Sequence, residues 1–140
     1  MCGKALRVAN TWDALDALAL ESVGDAESSG IELSRVLGLI DYVNRTVLNH
    51  DETERTLRRL MGSGLVVETR GGFRRTVAGQ EVHDRCPSKF SLDRGRWIEN
   101  HLQRHIQCEA HADWTLPSAT FDLALSQYLD EMRRIVGRND

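Results

Sequence analysis

At 140 residues the chain is long enough to close one ordinary hydrophobic core, and 41% hydrophobic with 28% charged residues is the composition of a globular protein. No run approaches the roughly 20 apolar residues that span a bilayer, and the start, Met1-Cys2-Gly3-Lys4, lacks the apolar stretch of a secretory signal. A net charge of −3 argues against nucleic-acid binding by the whole surface and leaves room only for a local basic patch.

Thr11 is placed to cap a first helix over about 12–22, in which Trp12, Leu15, Leu18 and Ala19 recur at helical spacing. A polar loop from Gly24 to Gly30 follows. Leu33, Val36, Leu37, Ile40 and Val43 then mark a second amphipathic helix over 32–44. A third helix is expected at about 51–63, capped by Asn49 or Asp51, with Leu57, Leu60 and Met61 inward and Gly64 ending it. Leu65 to Thr69 has β propensity, Gly71-Gly72 suits a tight turn, and Phe73 to Thr76 forms the return strand. Residues 80–85 read as one or two further helical turns.

Cys86-Pro87-Ser88-Lys89-Phe90-Ser91 is the clearest linker, because proline bars a continuous helix. It divides an N-terminal unit, 1–85, from a C-terminal helical extension, 86–140. The extension holds two helices, about 93–110 and 118–136, on either side of Pro117. On the last helix Phe121, Leu125, Tyr128, Met132 and Ile135 form one apolar stripe, widened by Leu129 and Val136. Such a stripe outside the first unit predicts a homodimer interface.

Leu57-x-x-Leu60-x-x-x-Gly64-Leu65-Val66, followed by Gly72 and then Thr76-x-x-Gly79, resembles the winged helix-turn-helix superfamily of bacterial DNA-binding transcription regulators. Asp41-x-x-Asn44, shortly before the third helix, is similar to one bacterial subgroup of it. The resemblance covers about residues 11–85. It implies a mostly α fold with a small β-hairpin wing, and a sequence-specific regulator that binds double-stranded DNA as a dimer. It also implies that Thr53, Arg55, Thr56 and Arg59 face the major groove, with Arg70, Arg74 and Arg75 on phosphates or the minor groove. The stretch Arg45–Arg75 is consistent with this, carrying seven arginines against four acids. Two positions depart from the pattern: the spacing from Leu33 to Gly64 is long, and Arg75 stands where an apolar residue usually precedes the Thr-x-x-Gly step.

His101-x-x-x-His105-x-x-Cys108-x-x-His111 would set imidazole and thiolate groups on one face of a helix, a spacing that suits zinc. His83 and Cys86 could supply a fourth ligand if the linker folded back. Packing of a helix against its neighbour explains the same pattern without metal, so no resident cofactor is expected. Cys2, Cys86 and Cys108, odd in number and irregularly spaced, fit a reducing cytoplasm. No nucleophile elbow or phosphate-cradling glycine loop is present, so the chain is not expected to be an enzyme. Two rivals to a DNA-binding regulator remain: a winged-helix module that docks proteins, and a regulator gated by metal or thiol oxidation.

Overall fold

The computed structural model describes residues 11–109 and 113–138. Asp13, two residues beyond the expected cap, starts helix α1 (Ala14–Ser22) with a capping box. Its carboxylate accepts from the N–H groups of Leu15 and Asp16, and Asp16 in return accepts from the Asp13 N–H at 2.9 Å. Helix α2 (Leu33–Asn44) ends on Arg45, which takes the left-handed conformation at φ 56°. Asn49 and Glu52 form a second capping box at the head of α3 (His50–Gly62).

The end of α3 is where the sequence pattern acquires its physical meaning. Gly64 lies at φ +76°; its N–H reaches the Met61 carbonyl and the Leu65 N–H reaches that of Leu60, a Schellman closure. The chain turns straight into β1 (Val66–Thr69), which pairs antiparallel with β2 (Gly72–Arg75), Val66 opposite Arg75 and Thr69 opposite Gly72. The turn residues are therefore Arg70 and Gly71, one position earlier than expected. The far edge of β2 is bonded to Gly24 and Ile31, so β2 is paired on both of its edges. A Cβ on Gly72 would sit 2.0 Å from the Ile31 carbonyl oxygen, which is why this position needs glycine.

Thr76 caps α4 (Val77–Arg85), accepting from the Gly79 N–H while its hydroxyl donates to the Gly64 carbonyl. Gly79 lies so close to the Leu65 carbonyl that a Cβ would approach it to 2.1 Å. The Thr-x-x-Gly step thus joins the end of α3 to the start of α4.

Helix α5 (Ser91–His105) packs on α1 through Ile98 and Leu102 and is five residues shorter at its end than expected. Helix α6 (Ser118–Arg138) packs on α2. The Tyr128 ring lies against Gly38 and its hydroxyl donates to Asp41, which gives the Asp41-x-x-Asn44 segment a structural role. The Asp41 carboxylate and partial burial push the Tyr128 hydroxyl up to about 12, burial being the larger cause. Buried residues from both sides of the linker, among them Leu20, Leu60, Ile98, Leu102 and Phe121, belong to one core. The result is a mostly helical fold with a small antiparallel sheet. None of its described helices is long and apolar enough to cross a membrane.

Candidate nucleic-acid interface and the segment beside it

Of the seven residues expected on DNA, four are buried. Thr53 is 3% exposed and donates to the Asn49 carbonyl within its own helix. Thr56 is 1% exposed, and its hydroxyl faces the interior without a protein partner. Thr53, Thr56, Leu57 and Leu60 together define the inward arc of α3. The helix is therefore rotated from the expected phase, because two threonines occupy core positions that hydropathy reads as outward.

Arg59 is also inside, at 5% exposed. Its guanidinium lies 3.1 Å from the Asp16 carboxylate, donates to the Thr11 carbonyl and to Cys108 Sγ, and sits 5.9 Å from the Trp12 ring centroid. Asp16 has no exposure, and one of its carboxylate oxygens has no hydrogen-bond partner. Burial pushes its carboxyl up to about 7, against the pull of the Asp13 N–H and Arg59.

Arg75, 3% exposed, fills the position where an apolar side chain was expected. Its Nη1 donates to the carbonyls of Leu20, Glu21 and Val23, which close α1; Nη2 meets Asp25 at 2.5 Å and Nε meets Gln80. Burial lowers its pKa, and Asp25 works against that shift. This arginine is a cap for the end of α1, not a phosphate contact.

Three expected residues remain accessible. Arg70 at the hairpin turn is exposed. Arg55 is exposed and 3.4 Å from Asp13, whereas half-buried Arg74 donates to the Ser28 carbonyl. The outer strip of α3 also carries Asp51 and Arg58, so its charge is mixed.

No motif or periodicity points to what runs beside that strip. Residues 106–109 and 113–117, between α5 and α6, lie along α3 in the opposite direction. Ser63 bonds the Glu109 backbone, donating to its carbonyl and accepting from its N–H. Arg58 donates to the Trp114 carbonyl, Glu54 accepts from the Leu116 N–H at 2.8 Å, and His50 Nε2 meets the Leu116 carbonyl at 2.6 Å. That carbonyl raises the His50 pKa by favouring a donating imidazole, and Asp51 adds to the effect. Leu116 and Cys108 are buried, and Trp114 packs edge-on against Phe73. The polar side chains along this flank of α3 are thus already bonded to the protein's own main chain.

The His/Cys face does not persist. Helix α5 stops at His105, and Cys108 lies beyond it with Sγ 3.3 Å from Arg59 Nε. His101 stacks on Trp97 at 4.9 Å, and His105 is tilted 4.8 Å from His101. Burial and the neighbouring His105 lower the His101 pKa. Cys86 is buried with Sγ toward the Ser88 carbonyl, His83 sits beside Asp84, and His111 lies outside the described residues. Among the described residues, no three of His, Cys, Asp or Glu gather as metal ligands would.

The apolar stripe of α6 is split as well. Phe121 and Tyr128 are buried within the molecule, Phe121 edge-on to His50, and Leu125 is half-buried against the same core. Of this stripe and its flanks, the last turns present the apolar surface: Leu129, Met132, Ile135 and Val136 are 38–56% exposed.

Comparison with protein-family models, with curated proteins and with solved structures gave no match.

Proposed function

We propose that the chain is a winged-helix-type domain that works by docking a protein and not by reading DNA through α3. The order helix, edge segment, helix, helix, hairpin supports the winged-helix reading, with Gly24 and Ile31 in the place of that fold's first strand. The observation that carries the docking reading is the state of α3. Thr53, Thr56 and Arg59 are buried, and His50, Glu54, Arg58 and Ser63 are bonded to the segment alongside. A groove-reading helix needs those donors and acceptors for base edges. The two described cysteines are free, which fits the cytoplasm as the compartment of the protein.

Groove recognition as a sequence-specific regulator is the rival, and of the seven residues expected on DNA it retains Arg55, Arg70 and Arg74 as contacts. The purified protein is expected to show no retention of generic duplex or of fragments from its own genome at 50–100 mM salt, on the order of conditions where phosphate contacts are strong. A salt-sensitive shift lost in an Arg55→Ala, Arg70→Ala variant of unchanged melting temperature would overturn the docking reading in favour of the regulator.

Self-association through the end of α6 belongs to the same proposal, on a smaller surface than the full stripe. Leu129, Met132, Ile135 and Val136 follow one another at helical spacing on a segment past Tyr128, the last buried residue among those described. A helix end with an exposed apolar arc gains from burial against another copy. Sedimentation at micromolar concentration should give a dimer for the wild type and a folded monomer for Met132→Asp, Val136→Asp. A monomeric wild type refutes this part alone.

A further inference from the structure

A hollow of about 720 Å³ lies between the hairpin and α6. The hairpin end and the start of α2 form one wall, Thr120 to Gln127 of α6 the other, and residues 113–117 close one end. A second hollow of about 660 Å³ adjoins it past the hairpin turn, sharing Glu32, Ser34 and Gly71. Together they make a channel along the hairpin end, longer than a single small molecule requires.

Its chemistry is two-sided. Trp114, Leu116 and Leu123 line the first hollow, and Leu123 is 61% exposed although it stands in a concave site. The lining of the two hollows carries four carboxylates, Glu32, Glu68, Asp113 and Glu131, against the two guanidiniums of Arg35 and Arg70. Trp114 Nε1 donates to Glu68, which fixes the ring at the edge of the site. An apolar floor under an acidic rim is complementary to a chain that alternates large apolar and basic side chains.

We infer that this channel is the docking surface and that its occupant is a cationic, partly apolar segment of a partner protein. The inference rests on the reading of the chain as a docking module. A nucleic acid or an acidic peptide meets repulsion from the same carboxylates, so charge selects against both.

The test uses the full chain without a tag and three capped hexapeptides as probes: alternating leucine and arginine, alternating leucine and glutamate, and alternating glycine and arginine. Fluorescence of Trp114, assigned with a Trp114→Phe control, reports binding. The leucine–arginine peptide is expected to saturate the signal, with an affinity that falls as salt rises. Glu32→Lys combined with Asp113→Lys should weaken it at least tenfold, and Leu123→Ser should weaken it severalfold, both with wild-type melting temperatures. Equal binding of the leucine–glutamate or glycine–arginine peptide overturns the inference, as does unchanged affinity in the charge-reversed variant. The two failures are separable: a negative peptide result without DNA retention removes this channel only, whereas DNA retention removes the docking reading itself.

Discussion

Replacing Arg59 by alanine should lower stability by about 2–4 kcal/mol at pH 7.5, through loss of a buried side chain that holds the Thr11 carbonyl, Cys108 and the Trp12 ring as well as Asp16. Asp16, which has no exposure, can take up a proton when its cation is gone, so its share of the loss at this pH is only about 1 kcal/mol. The effect depends on pH in a defined direction. The Asp16 carboxyl stands at about 7 in the folded protein against 3.8 ordinarily, so the folded state holds its proton more tightly than the unfolded chain. The contribution of Asp16 is therefore fully present below pH 4 and is lost as pH rises through 7, amounting to about 4 kcal/mol over that window. Without Arg59 the folded pKa climbs further, and the damage from the substitution should shrink at pH 5. Chemical denaturation of wild type, Arg59→Ala and Asp16→Asn between pH 4.5 and 8 reads all of this. A wild-type slope that Asp16→Asn leaves unaltered would show that Asp16 is ionised throughout.

Arg75→Ala should be comparably severe, at about 3–5 kcal/mol, for a different reason. The lost guanidinium leaves the carbonyls of Leu20, Glu21 and Val23 short of a donor at the end of α1, and leaves Asp25 and Gln80 without their contacts. Arg70→Ala, a few residues away at the exposed turn, should change stability by less than about 0.5 kcal/mol. If Arg75→Ala melted like the wild type, the residue would be an outward basic group, and the phosphate contact expected of it would return to consideration.

The contrast between Arg70 and Arg75 shows what the sequence could reveal. Helices were legible where leucine, isoleucine and valine recur, as at Leu33 to Ile40, and the turn from α3 into the hairpin was legible because Gly64 has one physical use there. The Thr76-x-x-Gly79 step was readable for the same reason. The outward face of α3 was not, because threonine and arginine occupy inward positions and their type gives no direction. Arg59 and Arg75 each satisfy partners far along the chain, at Asp16 and at Leu20 to Asp25, and no periodicity records such a pairing. The extent of α5 was overestimated because Ile106, Gln107 and Cys108 continue a helical pattern, whereas the chain leaves the helix so that Cys108 can reach Arg59. The stripe on α6 was correctly located, but spacing alone could not separate the half that meets α2 from the half that does not.

The bonds that tether Glu109, Trp114 and Leu116 to α3 also bear on how this protein can change over time. Ser63, Arg58, Glu54 and His50 hold main-chain atoms, which every residue except proline can supply in full. Trp114 and Leu116 also use their side chains. At the positions that lend only main-chain atoms to α3, such as Glu109, drift in residue type should be nearly neutral. Drift in length should not. His50 and Ser63 stand about 20 Å apart along the axis of α3, and the chain from Glu109 to Leu116 reaches at most about 25 Å. Removal of two residues takes away the slack and forces one anchor to let go, so relatives of this chain should keep the count between α5 and α6 more strictly than the letters.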